Sequence, residues 1–259
     1  MTMNRVAALE AERADVLDLC AALTPAQWQQ DSRADGWRVR DVIAHLGASC
    51  HALFTPAALT LLRTPDIESA NDTFVDARRH WSTQQVVDEY RTWSARVIRL
   101  ARLASRTPLG AIRAPLGELG SFRFDQMLTA ALVFDHHTHI HHDICPSLEF
   151  PAPDTDANRM ATVLDWMMAM LANQLRAAPP AWLPGPIALT LTGPGGGTWH
   201  INPDGSISSG GEGSIAAIES PAITFPSWAT RRTEWRRNDL QLTGHTDYAT
   251  RLLDSINIV

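Results

Sequence analysis

Apolar positions recur every three or four residues through the first two thirds of the chain, the period of helices packed on one face. Val6, Leu9, Val16, Cys20 and Leu23 predict a first amphipathic helix over 3–23. Thr24-Pro25-Ala26-Gln27 reads as the next helix start, with Thr24 capping, Pro25 at the first helical position and Gln27 closing a capping box. Trp28 follows as a core anchor, and the Asp35-Gly36 turn leads into a second long helix from Trp37 to about Leu62. Residues 64–83 are polar and read as a loop, and a third helix is expected from about Thr83 to Ser105. A Gly/Pro-rich loop over 107–121 precedes a fourth helix starting near Phe122, and a fifth is expected over about 154–177.

Beyond Pro179, Pro180, Pro184 and Pro186 the period changes to two. Ile187–Thr192 and Thr198–Asn202 read as strands, and the glycine-rich 193–197 segment between them as a hairpin turn. A phosphate loop is the weaker reading, because no lysine and Ser/Thr pair follows it. Ser208–Ser214 reads as flexible and 215–225 as one or two further strands, with Ser227–Arg232 and Asp247–Asn257 helical. The pattern therefore predicts a four-helix bundle with an added fifth helix over 1–178 and a small α+β domain over 179–259.

Composition narrows the classes. With 45% hydrophobic and 19% charged residues, the 259-residue chain is ordinary for a soluble globular protein. Net charge is −6, all 22 basic residues are arginine, and no linear run is basic. Nucleic acid and membrane are therefore not expected as partners; a small-molecule substrate is, with a monomer or homodimer as the assembly. The start lacks the apolar core of a signal peptide, and three scattered cysteines form neither a disulfide framework nor a thiolate zinc site. A reduced, cytoplasmic protein is expected.

The chemistry concentrates in Asp135-His136-His137-Thr138-His139-Ile140-His141-His142-Asp143, which holds five of the ten histidines. On a helical period Phe124, Leu128, Ala131, Asp135, His139 and His142 share one stripe, so an apolar face turns ionisable halfway along. Neighbours at i,i+4 lie ~5–6 Å apart at Cβ, close enough to share one ion, and imidazole with carboxylate suits zinc, iron or nickel. His137 and His141 fall on the opposite face. The competing reading is a solvated, histidine-rich helix end or a structural His–Asp network. In the second helix His45 lies beside the apolar stripe of Val39, Val42, Leu46, Cys50 and Leu53, among the small residues Ala48, Ser49 and Ala52. It reads either as a ligand facing open space or as an ordinary hydrogen-bonded histidine.

Two motifs carry a resemblance: Leu23-Thr24-Pro25-Ala26-Gln27-Trp28 followed by Gly36-Trp37 through His45-Leu46, and the Asp135-x-x-x-His139 run ending at Asp143-Ile144. Together they resemble the mycothiol-dependent maleylpyruvate isomerase-like family, whose N-terminal part is a DinB-like metal-binding helical bundle. Arg231-Arg232 and Gly244–Asp247 add a weaker likeness to its sterol-carrier-like C-terminal domain. The resemblance implies one metal, usually zinc, held by His45, Asp135 and His139. The chain departs from the family pattern in three places. Asp135 stands where Glu is common, so the ion would sit closer to helix four or recruit His142 or Asp143. Arg38 replaces a Ser/Thr cap, which weakens the start of the second helix. Asp143 follows His139 by four residues where three is usual.

Three protein ligands leave a coordination position open, the mark of a catalytic zinc site. The resemblance then implies activation of a low-molecular-weight thiol, mycothiol, for isomerisation of, or transfer to, a small electrophile. Arg231 or Arg232 would hold a carboxylate of substrate or thiol, unless they are plain surface arginines. The alternatives are a hydrolase using a metal-bound water, with Asp143 or His142 as proton acceptor, and a non-catalytic metal- or small-molecule-binding module.

Overall fold

The structure, a computed structural model, describes residues 3–211 and 213–258. It divides into two compact units, one reaching Asp154 and the other starting at Thr155.

In the N-terminal unit α1 (Arg5–Ala22), α2 (Val39–Ala52), α5 (Thr83–Ala104) and α7 (Ala130–Thr138) are the elements around the site, with further short elements between them. The capping motif at Thr24 forms as expected, with the Thr24 N–H donating to Gln27 Oε1 (2.9 Å), but it opens only a three-residue 3-10 turn, Gln27–Gln29. That turn buries Trp28. The second helix is shorter than its apolar pattern suggests. It stops at Ala52, the chain turns by 99°, and α3 (Ala57–Arg63) follows after Pro56. Proline lacks the N–H that would continue the first helix. The expected loop over 64–83 contains α4 (Ile67–Asp76), whose start is capped by Asp66 accepting from the Ser69 N–H at 2.9 Å. Its few apolar residues hid it.

Arg38 was expected to weaken the start of α2. The deficit is offset from inside the helix: buried Asp41 accepts from the Arg38 N–H (3.1 Å) and pairs with Arg79 (3.1 Å). α2 packs closely on α5 at Gly47, where an added Cβ would meet the Tyr90 backbone at 3.2 Å. Val42, Ile43, Leu46, Tyr90, Trp28 and Ile140 share the resulting core. The expected fourth helix comes in three pieces. A short hairpin, β1 (Arg113–Pro115) against β2 (Ser121–Arg123), leads to α6 (Phe124–Met127). The Thr129 hydroxyl then bonds back to the Asp125 carbonyl (2.6 Å) at a break before α7.

The C-terminal unit begins with α8 (Ala157–Ala177), the helix that the sequence assigns to the bundle. Its place here has a local reason. The hairpin turns at Gly195 and Gly205 press their backbones onto it, with positive φ and no room for a Cβ. Then come β3 (Ile187–Thr192), β4 (Gly197–Ile201), β5 (Ile207–Ser208), β6 (Ala216–Pro221), α9 (Phe225–Ala229), β7 (Gln241–Gly244) and α10 (Thr246–Ser255). The sheet order is β5-β4-β3-β6-β7, with β3 and β6 parallel and the other pairs antiparallel. Ile187, Leu189 and Leu191 alternate inward on β3, as a period of two requires. The edge strand β7 went unseen because its face is polar. The segment expected to be flexible, Ser208–Ser214, pairs at its first residue, while Glu212 lies outside the described residues. Among the described residues no single helix is long and apolar enough to cross a membrane.

Asp41→Ala should leave the Arg38 N–H and the Arg79 guanidinium without their acceptor. We expect a loss of about 1–3 kcal/mol, read as a lower urea midpoint at unchanged slope. A midpoint equal to wild type would remove Asp41 from the account of how α2 starts.

Candidate metal centre

α2, α7 and the residue that follows α7 bring three donors together. His45 Nε2 lies 3.2 Å from Asp135 Oδ1, and His139 Nε2 lies 3.4 Å from the same oxygen. One donor atom each from His45, Asp135 and His139 falls within 4.8 Å of the others, and no other such group occurs among the described residues. Both imidazoles are buried, at 3% and 7% exposure, whereas the Asp135 side chain keeps 24%. The cluster is therefore walled on the histidine side and open on the carboxylate side. Trp37 makes part of the wall, with its ring 5.0 Å from that of His45 and 6.0 Å from that of His139. Its indole N–H is fixed by Asp72 Oδ1 at 2.8 Å.

The helix changes pitch after His139. Residues His139–Ile144 form a π-helix, in which the Cys145 N–H reaches back five residues to the Ile140 carbonyl (3.0 Å). This changes which side chains align. Asp143 is fully buried, and its Oδ2 lies 2.7 Å from His139 Nδ1. It thus holds the far nitrogen of that imidazole and turns Nε2 toward Asp135, the arrangement that fixes ring orientation and tautomer in histidine metal ligands. The Arg33 N–H in turn anchors the Asp143 carbonyl at 3.0 Å. The four-residue spacing is the one a widened turn accommodates.

Other sequence expectations change. His142, placed on the stripe of Asp135 and His139 by an α-helical step, lies instead with His137 and His141, its ring 6.3 and 6.4 Å from theirs. The wider turn advances each residue by a smaller angle, so His142 leaves the stripe. Asp143 does not line the open side as a proton acceptor; it stands behind His139. Nor is the run a solvated helix end. His136 and His137 are fully buried, and His137 stacks on His141 at 4.0 Å. Burial lowers the His136 pKa to about 4, so it stays neutral beside Tyr90.

Arg231 and Arg232 are exposed residues of the C-terminal unit. Arg231 has a left-handed backbone (φ 57°) and donates to the Ile256 and Asp254 carbonyls at the end of α10, so it serves as a helix terminator. Arg232 donates to Thr230 Oγ1 at 3.0 Å. Sequence reasoning passed over Trp37 as a site residue, although it begins the tryptophan-to-histidine motif. Asp72 carried no signal at all, standing in a segment read as loop.

Electrostatics follow the geometry. Burial raises the Asp135 pKa, but the His45 charge and hydrogen bonds from both imidazoles outweigh it and hold the carboxyl well below its usual range. Burial lowers that of His139, yet hydrogen bonds to Asp135 and Asp143 carry it up to about 9. Without a metal, the centre is thus a cation between carboxylates.

What fold and centre define is a chain with a helical unit that brings two imidazoles and one carboxylate within one ion's reach, and a separate sheet-containing unit. The family model of the mycothiol maleylpyruvate isomerase N-terminal domain matches residues 9–143, more than half of the chain, and the chain belongs to that family. Two solved structures share the fold. One, titled mycothiol-dependent maleylpyruvate isomerase, has a TM-score of 0.56 at 11% identity, covering 92% of this chain and 91% of that one. The other, a histidine-to-alanine mutant under the same name, has a TM-score of 0.53 at 12% identity and covers 88% of each chain. No curated protein matches the chain in sequence.

Two outcomes are expected. In the metal-free protein, His139 titrates from 6.5 unfolded to about 9 folded, so its stabilisation is complete below about pH 6.5 and is lost as pH rises through about 9. Melting curves of metal-free wild type and His139→Gln should converge across that window; parallel curves would contradict the assignment. Asp143→Asn should weaken zinc about 10- to 100-fold in chelator competition. Unchanged affinity would show that the ring needs no such support.

Proposed function

We propose that the protein is a metal-dependent enzyme that activates a small thiol, mycothiol, for isomerisation of, or transfer to, a small electrophilic acid. The observation that carries this reading is the convergence of His45, Asp135 and His139 within one ion's reach, with its open side at Asp135. The helices around it are read as a DinB-like bundle, and the α+β unit as the sterol-carrier-like partner domain of the family.

Two nitrogens and one oxygen suit zinc, and three protein ligands leave a position free; nickel or iron would fit the same donors. Bound there, zinc would supply Lewis acidity that favours a thiolate over a thiol. The residues of this chain do the rest. Asp143 keeps His139 in the tautomer that presents Nε2, and Trp37 closes the histidine side against water. The Asp135 side is left for thiol and substrate. Addition of the thiolate sulfur to one carbon of a cis double bond leaves a carbanion stabilised by the adjacent carbonyl. The former double bond can then rotate, and elimination of the same thiolate returns the trans alkene with no net change in atoms or electrons. Capture of a proton instead of elimination would give a thiol adduct. Arg231 is spent on the end of α10 and so is set aside as a carboxylate holder.

The hydrolase reading loses ground, because it needs Asp143 or His142 at the open side. The experiment is metal analysis and turnover on wild type and His45→Ala. Wild type should carry about one equivalent of metal and isomerise maleylpyruvate only with mycothiol present. His45→Ala should lose both metal and rate, by at least about 100-fold. A metal-dependent rate without thiol would replace this function with hydrolysis. Metal retention without turnover of either kind would leave a binding module.

A further inference from the structure

The face of α5 that continues past Trp93 is basic, and the linear sequence conceals it. Between Glu89 and Glu118 the chain carries six arginines and no carboxylate, within a protein of net charge −6. Spaced three residues apart, Arg96, Arg99 and Arg102 form no run, but α5 turns them onto one side, and Arg106 follows in the turn just past its end. Arg102 pairs with Glu10. Arg96, Arg99 and Arg106 are exposed and make no ion pair among the described residues, Arg96 lying over the Trp93 ring at 4.2 Å.

The same end of the N-terminal unit gathers exposed apolar side chains. Among the described residues six large ones are exposed; Phe54, Leu59, Leu103, Leu109 and Ile112 are five of them, the sixth being Ile223. Leu59, Leu103, Leu109 and Ile112 are each 52–58% exposed. Close backbone contacts bring their segments together. Gly110 backs onto the Ala104 carbonyl at the end of α5, and Gly117 onto the Thr64 carbonyl just after α3. α3 itself, apolar but for Thr60 and Arg63, buries none of its side chains. Of the nearby carboxylates, Asp125 pairs with Arg123, Glu118 accepts from the Ile67 N–H and Asp66 from the Ser69 N–H, and Asp66, Glu68 and Glu118 stay exposed at the α3–α4 edge of this end.

We propose that this end of the protein docks on an anionic lipid surface, with leucines and isoleucine entering the headgroup layer and the α5 arginines on its phosphates. Charge opposes a two-fold pairing of this face with its own copy, since like-charged stripes would face each other. Four of the five exposed apolar side chains are aliphatic, which fits a bilayer better than nucleic acid, where aromatic rings would predominate. The arrangement is the one by which amphipathic surfaces hold membranes reversibly, arginine adding attraction that falls with salt. It is independent of the metal centre.

The test is co-sedimentation of the full chain with phosphatidylcholine vesicles, alone and with about one third phosphatidylglycerol. Binding should require phosphatidylglycerol and disappear in half-molar salt. Arg99→Glu/Arg106→Glu should weaken it at least about tenfold. Leu103→Ser/Leu109→Ser should weaken it too, and both variants should melt like wild type, because all four side chains are exposed. No binding, equal binding to neutral vesicles, binding that both variants retain, or capture of a single-stranded oligonucleotide in preference to vesicles would each overturn the proposal.

Discussion

The centre depends on one imidazole held from both ends. His139 has a carboxylate at each nitrogen, Asp135 at Nε2 and Asp143 at Nδ1, and it is almost fully buried. A ring so held cannot spin about its χ2 axis without losing a charged partner. Burial makes that loss expensive, because neither group would find water in exchange. Rigidity at His139 is therefore a matter of electrostatics as much as packing. His45 is placed differently, by the close approach of α2 to α5 at Gly47 and by the Trp37 ring against its face. One imidazole is held by charge and the other by shape.

The π-helix is what allows this. An uninterrupted α-helix would carry Asp143 past His139 at an angle set by its pitch, with His142 on the inner stripe. One wider turn exchanges their places. It gives the buried position to the carboxylate that can hold a histidine and moves the third imidazole toward His137 and His141. Local helix energy is given up there for geometry at the site, a recurrent reason for such turns to persist.

Much of this was legible in the residues. The amphipathic period gave α1, α5 and α8 closely, and alternation gave β3 and β4. Asp135 and His139 were found by the i,i+4 rule, because the helix is regular between them. The same rule failed three residues later, at His142, where the step angle changes and nothing in the residue types announces it. Asp135, a methylene shorter than glutamate, left open whether His142 or Asp143 would be recruited; the structure brings in Asp143, behind His139 and not on the side of Asp135. α4 and β7 were invisible for a common reason: each presents little apolar surface, so periodicity had nothing to report. The boundary between the units was read from prolines, whereas the division follows packing. α8 lies under the turns at Gly195 and Gly205, contacts between residues too far apart in sequence for a local pattern to hold.

Cys20, Cys50 and Cys145 are all unpaired and buried, and burial pushes the thiols of Cys20 and Cys145 up to about 12 and about 11. A sulfhydryl reagent or an oxidised cofactor reaching the folded protein thus meets no reactive sulfur belonging to the chain itself. Mixed disulfides and alkylation would have to wait for unfolding. Under the function proposed above, with a diffusible thiol and an electrophile meeting on the protein, the chain is in that way spared from becoming a target of either.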